Sequence, residues 1–261
     1  MRAACFSVAA MDYFPQKNQC FPGGNALNQT LGLAELGIKT SFLGALGTDE
    51  SGDKIYALLS KNHIDLSQVS LIDGVTANNS IVNDDLGERY GVDGAWQGGV
   101  FEQYRISEDS WAYISDFAIW TTHASCPNFL ETLSRKSNNT LCVDYLHLPD
   151  FSLLKDTLFQ VDIAYVGGDQ SMEADLAELS KATDCLVVLT LGGEGSMAFH
   201  LGKKYSQLAF DVDVVDTTGC GDAFQAGFTH SYTQHQNIKK ALLAGATTGR
   251  LAAMHYGGSK W

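Results

Sequence analysis

Residues 216–224 read D-T-T-G-C-G-D-A-F, two carboxylates and two glycines set against a helix-forming run. Gly219 and Gly221 permit positive φ and let a ligand oxygen come close to the main chain. A helix opening near Asp222 has first amides without intrahelical partners, at the positive end of its dipole. Peptide N–H groups placed in that way cradle an anion, phosphate above all. Asp222 then has two readings. It caps the helix, as Asp often does, or it takes a proton from a group that reacts with the bound anion. Local chemistry leaves both open.

Two further stretches bear on the choice. T-L-G-G-E-G, residues 190–195, follows the apolar run C-L-V-V-L-T. Ligands of open α/β sheets bind beyond the carboxyl ends of the strands, which is where this glycine run falls; its simpler reading is a tight hairpin. P-G-G-N-A-L-N, residues 22–28, joins flexible glycines to two side-chain amides that can both donate and accept toward a polyol. Its simpler reading is a helix N-terminus with Asn25 near the cap. Cys220 reads first as a small neutral side chain, although a thiol at a helix N-terminus can have a lowered pKa.

The elements that must position these groups follow from periodicity. The N-terminal run M-R-A-A-C-F-S-V-A-A-M imitates a signal peptide, but Asp12 follows at once, and it reads as a first buried strand. After the glycine pair, Leu27, Leu31, Ala34 and Leu36 supply the apolar face of a helix that Gly37 ends. A strand at 40–45 and a helix from near Thr48 come next. Residues 75–105, broken by D-D-L-G, Y-G-V-D-G and Q-G-G, predict a small antiparallel sheet. F-A-I-W-T-T, T-L-C-V-D, V-D-I-A-Y-V and C-L-V-V-L-T are short apolar runs between helical segments, as in a parallel sheet buried on both faces. A hairpin near residues 200–205, the strand-like V-D-V-V leading to Asp216, and two helices parted near Asn237 complete the chain.

Composition bounds the partners. With 30 acidic and 17 basic residues in 261, the net charge of −13 argues against nucleic acid and anionic membrane, which need a basic footprint. It does not argue against a phosphate held by backbone amides. No apolar run approaches the roughly 18 residues that suggest a membrane span. The six cysteines lie far apart with no C-x-x-C pair, which argues against a zinc site and against a dense disulfide framework; reduced thiols in the cytoplasm are the expectation. His230 and His235 lack metal spacing for a helix.

In this order the three glycine stretches resemble the ribokinase-like (PfkB) carbohydrate kinases, whose motifs read D-T-x-G-A-G-D-x-F, an N-terminal G-G signature and T-x-G-x-x-G. M-D-Y-F-P-Q and G-V-T-A are similar to the branch that phosphorylates fructosamines such as fructoselysine at the 6-position. The resemblance implies a single domain over 1–261, a three-layer α/β/α sandwich with a β lid drawn from about 12–21 and 75–105. It implies ATP and Mg²⁺ as cofactors and a sugar hydroxyl as acceptor. Asp222 would be the general base, and the amides of Gly219, Cys220 and Gly221 the anion hole. Thr190, Gly192 and Gly195 would lie along the nucleotide, and Asp12, Gly24 and Asn28 would hold the sugar. Arg89 would reach substrate from the lid. Glu173, in Q-S-M-E where the family has N-x-x-E, would serve the metal. Separately, a small lid sheet leaves an apolar face and open edges that a partner's lid could cover, so a homodimer through the lid is expected. Ser7 and Val8 stand where the family commonly has Gly-Asp, and Cys220 where it has Ala. Trp96 could stack on substrate, the other tryptophans, Trp261 included, read as anchors, and the acidic cluster Asp84, Asp85, Glu88 and Asp93 could attract an amine. The alternatives are a kinase for ribose, fructose or adenosine, and a catalytically silent sugar or nucleotide sensor.

Overall fold

The computed structural model describes residues 1–147 and 151–258, so Trp261 lies outside the described residues. The chain opens with β1 (Arg2–Phe6), β2 (Ala10–Phe14) and β3 (Gln19–Gly23), then α1 (Asn25–Glu35), β4 (Lys39–Gly47) and α2 (Glu50–Lys61). Next come β5 (Val69–Ile72), β6 (Asn78–Asn83), β7 (Arg89–Gly91), α3 (Glu108–Ile114), β8 (Ile119–His123), α4 (Phe129–Arg135) and β9 (Thr140–His147). They are followed by α5 (Ser152–Thr157), β10 (Ile163–Gly167), α6 (Glu173–Leu179), β11 (Leu186–Thr190), β12 (Ser196–His200) and β13 (Lys203–Gln207). Two long helices, α7 (Cys220–His235) and α8 (Ile238–Ala252), close the described chain.

Nine strands form the main sheet in the order β13-β12-β11-β10-β9-β8-β1-β4-β5. Pairing is parallel from β5 to β11 and antiparallel for β12 and β13. The apolar runs are strands covered on both faces, as their composition requires. One face is packed by Trp111, Phe129, Leu154 and Leu176 of α3 to α6. The other is packed by Leu27 of α1, Ile55 of α2, Phe228 of α7 and Leu242 of α8. The result is a three-layer α/β/α sandwich. Chain order runs outward from β1 in both directions, to β4 on one side and β8 on the other. That makes β1 a switch point, and ligands bind in the crevice beyond the carboxyl ends at such a point.

The structure departs from the sequence expectations in four places. The N-terminal apolar run is two strands, because the chain leaves the main sheet after Phe6 and re-enters strand geometry at Ala10 in a second sheet. That second sheet, β3-β2-β6-β7, is mixed, since β2 and β6 pair in parallel. Several elements separate β2 from β6, and such a crossover delivers a strand in either direction, whereas only tight hairpins impose antiparallel pairing. V-D-V-V forms no strand, so Asp216 ends an irregular segment. Finally, α7 begins at Cys220 and not at Asp222, which puts Asp222 inside the first turn, where a carboxylate meets the positive end of the dipole.

Candidate active site

Asp222 lies between two helices and the sheet. Along α1, Asn25, Asn28 and Gln29 are three and four residues apart and so share one helix face. That face meets α7 closely: a Cβ at Gly32 would come within 2.9 Å of the Ala226 Cβ. The Asn28 Nδ2 donates to one carboxylate oxygen of Asp222 and the Asn25 Nδ2 to the other, each at 2.8 Å. One turn further on, Gln29 Nε2 donates to Gln225 Oε1 at 2.6 Å. The Asp222 carboxyl titrates at about 7. Burial is the main cause and the negative charge of Asp144 adds to it; the two asparagine amides and the Arg89 charge oppose both. A carboxyl poised near neutrality suits a base better than a helix cap does.

The turn before α7 is built around Asp216, which is wholly buried. Its Oδ1 accepts from the Thr218 N–H at 3.0 Å, the Thr218 hydroxyl at 2.7 Å and the Asn83 Nδ2 at 2.8 Å. Its Oδ2 accepts from the Gly257 N–H at 2.9 Å. Gly219 takes φ 76° and a Cβ there would lie 2.5 Å from the Gly258 Cα, so only glycine fits. The Cys220 N–H is donated to the Thr217 carbonyl at 3.2 Å. Gly221 is exposed and faces open space. Burial, with Asp216, Glu88 and Asp222 nearby, pushes the Cys220 thiol up to about 12. The helix dipole, which would depress the thiol, is outweighed first by burial and then by the three surrounding carboxylates.

Asp12 is buried on β2, and a Cβ at Gly23 would fall 2.2 Å from its Oδ2. Burial raises the Asp12 carboxyl to about 7; Arg89 opposes the rise and Asp216 adds to it. The charge of Arg89 therefore acts on both Asp12 and Asp222. Because folding raises the Asp12 pKa, the folded form holds that proton more tightly, and stability is lost as pH climbs from about 4 to about 7. Asp12→Asn is expected to melt at a higher temperature than wild type at pH 8 and at the same temperature at pH 4, by calorimetry. Equal melting points at pH 8 would contradict the raised pKa.

Gly24 caps α1 at φ 99°, with its Cβ position 2.7 Å from the Val8 carbonyl. The Arg89 end of the small sheet reaches the turn: Thr217 donates its N–H to the Gly87 carbonyl at 3.0 Å, and its Oγ1 accepts from the Arg89 N–H at 2.9 Å. Thr190 ends β11, and a short turn leads to Gly195, whose φ of 104° brings it against the Gln207 carbonyl. Gly192 and Gly193 face open space instead. Glu173 opens α6 and pairs with Lys204 on β13 at 2.6 Å. Gln170, in the same turn, donates to Glu194 at 2.8 Å, so this segment borders the Gly192 loop. Among the described residues no three His, Cys, Asp or Glu are grouped to hold a metal ion. Trp96 and the acidic cluster Asp84, Asp85, Glu88 and Asp93 are exposed.

A family model described as pfkB family carbohydrate kinase matches residues 11–260. The chain belongs to this family. It is an ATP-dependent phosphotransferase of the sugar and nucleoside kinase class. It is 25% identical over 253 residues to a fructoselysine 6-kinase of Escherichia coli, covering 95% of each chain. It is 26% identical over 259 residues to a fructosamine kinase of Bacillus subtilis, covering 95% of this chain and 89% of the relative. A nucleoside kinase of Burkholderia thailandensis solved with inosine superposes at TM-score 0.80 and 18% identity, covering 99% of this chain and 92% of the other. That last likeness speaks for the fold. In the described part of this kinase, no helix is long and apolar enough to cross a membrane.

The structure thus brings Asp12, Asn28, Arg89 and Asp222 into one electrostatic neighbourhood beside the Gly219–Gly221 turn, and sets Thr190, Gly192 and Gly195 on a separate loop. Sequence reasoning missed three participants and left a fourth open. The sequence offers Asn25 either as an amide facing a polyol or as a cap residue; Gly24 is the cap, and the Asn25 side chain bonds Asp222 directly. Its spacing of three from Asn28 was the available signal. Ser7, read as a departure, donates to the Asn25 Oδ1 at 3.1 Å. Asp144, the carboxylate ending T-L-C-V-D, accepts from Asn25. Asn83 carried no local signal at all.

Proposed function

We propose that this kinase phosphorylates a hydroxyl of a fructosamine such as fructoselysine, with Asp222 as the general base. The observation that carries the catalytic part is the Asp222 carboxylate, held by two amide donors and titrating at about 7 beside the open Gly221. Asp222 accepts the hydroxyl proton as the oxygen attacks, and phosphoryl transfer otherwise needs mainly positioning and charge stabilisation. The amides of the Gly219–Gly221 turn take the charge on the transferring group, those of Gly219 and Gly221 foremost because the Cys220 amide already serves Thr217. Thr190, Gly192 and Gly195 shape the nucleotide loop, with the side of Gly192 open to ATP. Asp12, Gly24, Asn28 and Arg89 hold the sugar.

The donor set suits Mg²⁺ that binds chiefly through ATP oxygens and water, since such an ion needs few protein ligands. When bound it neutralises phosphate charge; Glu173, engaged by Lys204, would act on its water shell. The small sheet serves as a lid. Its contacts through Asn83, Gly87 and Arg89 to the Asp216–Thr217 turn couple closure over the sugar to the shape of the phosphate cradle, and closure excludes water that would hydrolyse ATP.

The fructosamine assignment is supported by the names of the two relatives and by the exposed acidic edge beside Arg89, which suits an amine-bearing sugar. An ADP-release assay across fructoselysine, fructose, ribose and adenosine tests it. The highest kcat/KM is expected for fructoselysine; a tenfold preference for ribose or adenosine would overturn the assignment while leaving the kinase chemistry standing.

A further inference from the structure

We propose that Asp144 is a positioning residue for phosphoryl transfer: it holds the Asn25 amide that fixes Asp222, and its carboxylate faces the base across that amide. The inference rests on the reading of Asp222 as general base and goes beyond it to a buried group that acts through Asn25. Asp144 stands near the carboxyl end of β9, buried, on the face of the sheet that α1 and α7 cover. The Asn25 Nδ2 carries two hydrogens and spends both on carboxylates, Asp144 Oδ2 at 3.1 Å and Asp222 Oδ1 at 2.8 Å. Which end of the amide faces the acids is set by the two carboxylates, which only accept, and the Ser7 hydroxyl donates to the Asn25 Oδ1 at 3.1 Å. Turning the amide over would place a carbonyl oxygen against two carboxylates and its N–H₂ group against the Ser7 hydroxyl. Asp144 is itself oriented by the Leu146 N–H, which donates to its Oδ1 at 2.7 Å, and by the Gln225 side chain.

Two acids bridged by one amide repel each other, so each favours the proton on the other. Among the described residues, the groups whose charge or hydrogen bonds act on Asp222 can be placed. From α1 only neutral amides face Asp222, those of Asn25 and Asn28. From β7 comes Arg89, whose charge favours the ionised base, and from β9 comes Asp144, whose charge disfavours it. On α7 itself the neighbour is the Cys220 thiol. His147 and the buried Tyr165 act on or near Asp144 rather than on Asp222. Asp144 is therefore the acidic group that makes Asp222 more basic, while Asn25 pulls the other way by bonding the ionised form.

Opposite signs give the test. The pH dependence of kcat would be measured for wild type, Asp144→Asn, Asn25→Ala and Asp222→Asn, with melting curves to confirm folding. Asp144→Asn is expected to move the acidic limb of the profile down by about one pH unit. Its plateau kcat should fall about tenfold as the base weakens, with both KM values within about threefold of wild type. Asn25→Ala is expected to move the same limb upward and to lower kcat, so the proposal stays testable on this variant should Asp144→Asn not fold. A residue that merely supports the fold would move neither limb. If Asp222→Asn is inactive while the limb stays put in the folded Asp144 and Asn25 variants, the positioning role is wrong and the base stands. If Asp222→Asn turns over like wild type, the base reading fails and takes this one with it.

Discussion

Asp222→Asn is expected to lower kcat by about 10²–10⁴ while changing KM for ATP by no more than a few fold. The substitution keeps size and shape and removes the charge that accepts the proton. In the proposed arrangement ATP would be held by main-chain amides and the Gly192 loop, neither of which the substitution alters. The same change tests the competing account. A helix cap or first-turn acid contributes about 1 kcal/mol to stability and nothing to a proton transfer. Turnover can be followed by coupled ADP release at saturating sugar, with thermal melting in parallel. A folded variant with wild-type kcat would return Asp222 to the role of helix-terminal carboxylate. Wild-type activity is also expected to fall as pH drops through about 7, because the protonated carboxyl has no room for the hydroxyl proton.

Asp216→Ala is expected to produce the largest loss of stability of any single change in this neighbourhood, about 3–5 kcal/mol. The carboxylate is wholly buried and accepts from Thr218 twice, from Asn83 and from Gly257. Deleting it strands four donors, each costing about 1–3 kcal/mol if left dry, with water entry relieving part of the sum. The donors come from the phosphate turn, the small sheet and the segment after α8, so the turn loses its anchor on three sides. Urea unfolding measures the stability loss. At temperatures where the variant is folded, kcat should also fall, because Gly219 is placed by the same turn and by its contact with Gly258. A loss under about 1 kcal/mol would mean that the four donors find other partners.

The parts of the fold that came through from sequence were those carried by local pattern. Apolar runs such as C-L-V-V-L-T and T-L-C-V-D are strands because no polar face interrupts them, and α1 and α8 are helices, parted from their neighbours by Gly24, one residue before the expected cap at Asn25, and by Asn237. The parts that did not come through depend on contacts distant in the chain. V-D-V-V has the composition of a strand, but its neighbours are a lid loop and the end of α8, through Val215 to Ala253 and Thr217 to Gly87, and no strand edge is offered to it. The small sheet is mixed because β6 returns beside β2 after a long crossover, and nothing in residues 75–105 records that partner.

The site divides in the same way. From sequence alone came the chemistry on offer: glycines where a main chain must approach an anion, an acid at the start of a helix, and paired amides one helical turn apart. Those are properties of residue type and short spacing, which a linear string holds in full. The resemblance marked Asp222 as the base, and the tertiary structure adds a physical reason why Asp216 does not suit that role. Asp216 and Asp222 are six residues apart in one motif, yet one is spent on four structural donors and the other is left facing the crevice, tuned by Asp144 and Arg89. Burial and long-range charge set a carboxyl's proton affinity, and both are sums over neighbours that the chain brings together only when it folds.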